Sequence, residues 1–231
     1  MELQENLDLV FDVDAVLRGQ GADASILRAR CPALVKVAEE AMQESSSLLR
    51  PKAVYQEFAI DGVQHNRILL SGGQKIENKL LVQHLAAASR IIVILVTIGE
   101  ALEKQVLRIW ESNMVYALAL DGVGSAAVEA LANAACQYFE EQATEKGLQA
   151  SIPLSPGMVD WCVSEGQPQI FQMLGEAGSI VRLTPSYIMI PHKSLTMIMG
   201  IGAEMKSAGR ACDYCIMHET CQYQDHYAVQ E

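Results

Sequence analysis

The 231-residue chain predicts an α+β fold: a mostly antiparallel twisted sheet flanked by helices. Three observations predict it. Stretches of β-type residues fall near 53–70, 91–98, 114–120 and 183–201, at irregular intervals that do not suit a doubly wound parallel sheet. Helical-period apolar stripes lie between them. The dipeptide Asp61-Gly62 divides the first stretch as a tight hairpin turn would, which joins antiparallel neighbours.

Taken in order, residues 8–18 mix apolar and acidic positions and run into a turn at Gly19 and Gly21. A helix is expected from Pro32, a good first-turn residue, to just before Pro51. Its Leu34, Val37, Ala38, Ala41, Leu48 and Leu49 share one side, and Glu39, Glu40 and Glu44 form a solvated opposite face. Residues 53–70 read as two strands, with His65 in the second as a lone surface histidine. Ser71-Gly72-Gly73-Gln74 is a turn, because it lacks the Gly-Lys-Ser/Thr ending of a phosphate loop.

The β-branched run Ile91 to Thr97 reads as a strand buried on both faces. It turns at Ile98-Gly99 into a helix over about 100–112, and a strand end meeting a helix start is a natural ligand position. An ordinary strand-to-helix turn is the plainer alternative. Residues 114–120 read as a further strand. A long helix follows, with Val128, Leu131, Ala132, Ala135 and Phe139 on one buried stripe and Asp121 or Ser125 as its cap.

Formal net charge is −11, from 28 acidic and 17 basic residues. No basic stripe is visible, so no nucleic-acid partner is expected. The N-terminus Met1-Glu2-Leu3-Gln4-Glu5 is acidic and has no export signal. The longest continuous apolar run, Ile91 to Ile98, falls short of the roughly 20 residues that span a bilayer. A cytoplasmic protein with no membrane partner is therefore expected. Six cysteines suit that compartment as thiols or metal ligands.

Residues 151–202 carry the most information. Ser155-Pro156-Gly157 forms a turn, followed by a short helical segment with Ile170, Phe171 and Leu174. Two β-type runs come next, Ile188-Met189-Ile190 and Thr196 to Ile201, separated by Pro191. This order resembles the activation (reactivation) domain of cobalamin-dependent methionine synthase. The matching residues are Ser155, Pro156, Gly157, Asp160 and Trp161, then Leu183, Thr184, Ser186, Tyr187, Met189 and Pro191. Thr97 with Gly99, the segment from Asp121 to Glu129, and the Leu-Arg pairs at 17–18 and 49–50 extend the likeness over nearly the whole chain. It looks like a free-standing reactivation domain over 1–203.

The resemblance implies an accessory protein for a corrinoid methyltransferase. It would present S-adenosylmethionine so that cob(II)alamin on the partner is reductively methylated, with an electron from a redox donor. The hard chemistry would belong to the cofactors, and no catalytic side chain is implied. The implied ligand-contacting residues are Thr97, Gly99, Glu129, Ser155, Pro156, Gly157, Met158 and Tyr187. The chain departs from the family at Pro153 and Met158, where an arginine and a tyrosine are usual.

Residues 204–231 differ in character. Cys212, Cys215 and Cys221 stand at C-x2-C-x5-C in a short polar segment and read as metal ligands, for zinc or an iron–sulfur cluster. His218 or His226 is available as a fourth zinc ligand, and Cys162 or Cys31 as a further cluster ligand. Free or redox-active thiols are the second reading. The alternative function is accordingly an iron–sulfur electron carrier, or a metal-stapled docking module for a corrinoid protein, without adenosylmethionine binding.

Overall fold

The computed structural model describes residues 1, 3, 7, 9–158, 160–205, 213 and 219. Three helices come first: α1 (Val13–Gly19), α2 (Ala24–Arg30) and α3 (Pro32–Glu44). Asp12 and Asp23 cap the first two, each accepting hydrogen bonds from backbone N–H groups of the opening turn. Pro32 opens α3 as expected, but the helix stops at Glu44, and one 3-10 turn over Ser46–Leu48 carries the chain towards the sheet.

Strands β1 (Lys52–Gln64), β2 (Arg67–Leu70) and β3 (Lys75–Glu77) form a meander, followed by α4 (Lys79–Leu85) and β4 (Arg90–Thr97). The hairpin turns at His65-Asn66, not at Asp61-Gly62. Those two residues sit inside β1, where a bulge shifts the register between Ile60 and Gly62. His65 thus occupies the turn.

Next come α5 (Ala101–Ile109), α6 (Met114–Glu145), β5 (Gln149–Ala150) and α7 (Val163–Leu174), then β6 (Arg182–Leu183), β7 (Met189–Ile190) and β8 (Ser194–Gly202). The strand expected over 114–120 is the first two turns of α6. Asn113 caps it through Tyr116 N, so Asp121 and Ser125 lie inside the helix and cap nothing. Burial of Ala117, Leu120, Gly124, Ala127 and Leu131 follows the helical period. By length and composition α6 is apolar enough to cross a bilayer, and in this fold much of it is buried, its start on α1, α3 and α5 and its remainder on the sheet.

The main sheet has the order β3-β2-β1-β4-β8-β5, with every pairing antiparallel. Strands β6 and β7 form a separate hairpin. Central strand β4 is buried after Arg90 and feeds both faces. Ile91, Val93 and Leu95 pack with α4, α7, Leu154, Met158 and Trp161. Ile92, Ile94 and Val96 pack with Met197, Met199 and the expected α6 stripe from Val128 to Phe139. A third cluster joins α1, α3 and α5 to the start of α6. There Gly19 and Gly122 meet so closely that a Cβ on Gly122 would stand 2.5 Å from Val16 O.

Candidate functional site

The chain reaches the Pro-Gly turn along the outer edge of β8. Ser151 N donates to Gly200 O at 2.8 Å, and Gly200 N donates to Ser151 Oγ at 2.9 Å. Leu154 and Ile198 then exchange two backbone hydrogen bonds of 2.9 and 2.8 Å. Beyond them Ser155-Pro156-Gly157-Met158 turns, closed by Met158 N on Ser155 O at 3.2 Å. Gly157 has φ +105°, a conformation that suits glycine. The Met158 side chain is buried in the core under the turn, with Sδ 3.5 Å from Ser155 N.

Asp160 follows at φ +61°, which is unusual for a residue with a side chain. Asn78 holds it there: its Nδ2 donates to Asp160 O at 2.6 Å while its Oδ1 caps α4 through Leu81 N. The Asp160 side chain is exposed. Trp161 is buried, and its Nε1 and Gln169 Oε1 have no hydrogen-bond partner among the described residues.

Helix α7 ties this turn to the sheet. A Cβ on Gly166 would lie 2.7 Å from the Trp161 ring and 2.8 Å from Pro156, so only glycine fits where helix and turn touch. The neighbouring Gln167 accepts from Thr196 Oγ1 at 3.1 Å. Two residues back along β8, Ser194 Oγ lies 2.9 Å from Thr97 Oγ1 and 2.7 Å from Pro191 O. Thr97 Oγ1 in turn accepts from Gly99 N at 3.2 Å, and Gly99 has φ +78°. Thr97 and Gly99 are thus bonded to the start of β8, and Ser155, Pro156 and Gly157 are held by α7, whose Gln167 bonds β8 two residues further on.

Tyr187 forms the tip of the β6–β7 hairpin at φ +63°, its N–H bonded to Thr184 O at 2.9 Å. Thr184 Oγ1 also accepts from Ile188 N. The hairpin packs on α7. Tyr187 and Ile188 are 39% and 49% exposed, and Val163, beside Gly157, is 41% exposed. Of these three accessible apolar side chains, Val163 belongs to α7 and Tyr187 and Ile188 to the hairpin that packs on it.

Glu129 is not brought to this set. It projects from α6, which covers the opposite face of the sheet. Burial pushes its carboxyl above the usual range, and the Arg18 guanidinium opposes that rise. The metal expectation, Cys212, Cys215 and Cys221, lies outside the described residues, as do His218 and His226. Among the described residues no three His, Cys, Asp or Glu side chains converge as a metal site; Cys31 and Cys162 are exposed, and Cys136 is buried with its thiol pushed up to about 12 by burial.

Asn78, Gly166 and Gln167 were not singled out by the sequence. A glycine inside a helical pattern was the one local signal for Gly166. A second polar group was also missed. Lys193 Nζ stands 2.9 Å from both Asp121 Oδ1 and Ser125 Oγ, and Glu103 accepts from Lys193 N at 2.8 Å. It joins α5 and α6 to the start of β8, next to Thr97.

The sheet is thus covered by a long helix on one face and by the Pro-Gly turn with its helix on the other. The chain is similar to a solved structure of the MetH reactivation domain bound to AdoHcy, with a TM-score of 0.68. The match covers 93% of this chain and 82% of that one at 15% identity, a likeness of fold. No protein-family model matches the chain, and no curated protein matches it.

Proposed function

We propose that the protein binds S-adenosylmethionine at the Pro-Gly turn and acts as an accessory reactivation protein for a corrinoid methyltransferase of the methionine synthase type. The observation that supports this is the fold likeness to a reactivation domain bound to AdoHcy, which extends over nearly the whole chain. The donor set suits the ligand. Exposed Val163, Tyr187 and Ile188 offer apolar surface to an adenine, and the Asp160 carboxylate suits ribose hydroxyls or a sulfonium charge.

In this reading S-adenosylmethionine supplies an activated methyl group when bound. The chain's own part is placement. Gly157 lets the backbone approach the ligand without a Cβ, and Pro156 against Gly166 fixes the turn on α7. Thr97 and Gly99 hold the end of β4 beside the start of β8, and Tyr187 closes the hairpin side. Cobalamin stays on the partner, and the reducing electron comes from a separate donor.

A second reading, an iron–sulfur carrier or metal-stapled docking module, is favoured by the C-x2-C-x5-C spacing of Cys212, Cys215 and Cys221. Burial of Met158 also favours it, because that side chain occupies the core where the family carries a tyrosine at the turn.

Calorimetric titration of the anaerobically purified, metal-replete protein with S-adenosylmethionine and with AdoHcy tests the first reading. Saturable binding, weakened about tenfold by Tyr187→Ala through loss of roughly 1.4 kcal/mol, is the expected result. Absence of binding to either compound would move the metal reading to first place.

A further inference from the structure

Helix α4 and the chain just after the Pro-Gly turn form an open cavity of about 450 Å³, lined by His65, Lys79, Leu80, Val82, Gln83 and Asp160. That volume falls within the roughly 300–1,000 Å³ of small-molecule sites. Parts of the chain distant in sequence meet there: the β1–β2 hairpin turn through His65, α4 through Lys79 to Gln83, and the loop before α7 through Asp160.

Asp160 is held at this cavity against its own backbone preference. Its φ of +61° is unfavourable for a residue with a side chain, and buried Asn78 maintains it by donating through Nδ2 to Asp160 O. The Oδ1 of the same Asn78 caps α4. One side chain therefore fixes Asp160 against the helix that supplies most of the lining. Strain kept in place by a dedicated contact collects where a protein positions something for use.

The chemistry of the lining selects the occupant. Lys79 contributes a cation and Asp160 an anion, and no ion pair joins them. Among the described residues neither side chain has a hydrogen-bond or ion-pair partner, so both charges are open to a ligand. His65 and Gln83 add an imidazole and an amide, which donate and accept. Leu80 and Val82 add apolar surface. A phosphate dianion would meet the Asp160 carboxylate. A metal cation would meet the Lys79 ammonium, with a single carboxylate in the lining to hold it, and no Phe, Tyr or Trp lines the cavity to stack on a base. A small molecule that carries both a carboxylate and an ammonium satisfies both charges through charge-assisted hydrogen bonds, and its apolar part is left for Leu80 and Val82.

We propose that this cavity binds an α-amino-acid headgroup, with Lys79 Nζ holding the carboxylate and the Asp160 carboxylate holding the ammonium. The headgroup belongs either to a free apolar amino acid or to the methionyl end of S-adenosylmethionine. The second source rests on the binding reading above, and the first does not.

The test is calorimetric titration of the full chain with L-leucine, with isocaproate, which lacks the amine, with isoamylamine, which lacks the carboxylate, and with S-adenosylmethionine. The headgroup ligand should bind saturably, and loss of either charge should weaken binding about tenfold. Lys79→Gln should erase the preference for L-leucine over isoamylamine, and Asp160→Asn the preference over isocaproate. Both positions are exposed, so both variants should fold. S-adenosylmethionine that displaces L-leucine, or that binds alone and is weakened by both variants, identifies the methionyl end as the source. S-adenosylmethionine that binds alongside L-leucine identifies a free amino acid. Equal affinity for L-leucine and isocaproate in wild type, or binding of inorganic phosphate that Lys79→Gln abolishes, overturns the proposal in favour of a plain anion site. S-adenosylmethionine binding that neither variant changes, with no binding of L-leucine, overturns the proposal and leaves the binding reading standing. Binding of L-leucine by a protein that takes no S-adenosylmethionine does the reverse, and binding of neither overturns both.

Discussion

The two faces of the sheet are built by opposite means. On one, the single 32-residue helix α6 lays small and apolar side chains over Ile92, Ile94, Val96, Met197 and Met199. On the other, a turn, the short helices α4 and α7 and a hairpin share the cover. There Thr97, Gln167, Ser194 and Thr196 are buried polar residues in mutual hydrogen bonds. Gly99, Gly157, Asp160 and Tyr187 take positive φ on that side of the molecule or at its end. Burying polar groups and holding non-glycine residues in the left-handed region cost stability, and such costs collect where a protein positions something for use. The α6 face is scaffold and, in the proposed reading, the α7 face is the instrument it supports.

That contrast can be broken by substitution. The largest effect is expected from Leu131→Ala on the α6 face, a loss of about 2–5 kcal/mol read by denaturant unfolding, with ligand affinity unchanged. Gly166→Ala on the other face should cost about 1–3 kcal/mol by driving a Cβ into Pro156 and Trp161. It should also weaken S-adenosylmethionine binding, because the turn must move. If Leu131→Ala changed affinity as much as Gly166→Ala did, the division between scaffold and instrument would fail.

Thr97→Val sharpens the comparison. It leaves Gly99 N–H without its Thr97 Oγ1 acceptor while the Ser194 hydroxyl keeps Pro191 O, for about 1–3 kcal/mol, with the ligand effect at the Gly99 end. The smallest effect concerns Glu129. Because burial raises its folded pKa, its favourable contribution is complete below the ordinary value of 4.5 and is lost as pH rises through the folded value. Glu129→Gln should therefore gain on wild type as pH rises from 4.5, measured by thermal unfolding. A pH-independent difference would show that burial does not govern this carboxylate.

The scaffold was far more legible in the sequence than the instrument. The β4 run and the stripe from Val128 to Phe139 announce themselves because burial on a regular element leaves a period. The start of α6 did not, since Met114-Val115-Tyr116-Ala117-Leu118 fits a strand and Asp121-Gly122-Val123-Gly124 looks like a break. Those glycines serve partners elsewhere in the chain. Gly122 admits α1, and Gly124 admits the Lys193 stem, contacts that no local pattern encodes. The turn at Ser155-Pro156-Gly157 was visible because proline and glycine mark turns locally, and the resemblance gave it meaning. Its connection to Thr97 was not visible, because it passes through single hydrogen bonds from Gln167 and Ser194 to residues far away in sequence. Asp61-Gly62 misled for a related reason: a bulge and a turn draw on the same residues.

The irregular segment from Ser151 to Leu154, bonded along β8, has a further consequence. The outer side of a nine-residue strand as apolar as β8 would be an open template for another chain, a hazard of exposed sheet edges. Two-residue β5 covers only its last residues, and Ser151 and Leu154 occupy much of the remainder. The same bonds lock the turn to the strand's register. A slip of one residue in β8 would carry Thr196 through to the α6 face and move Ser155 by about 3.3 Å relative to α7. Protection against aggregation and accurate placement of the turn thus depend on the same few hydrogen bonds. A variant that loosens them should therefore turn insoluble and lose its ligand together.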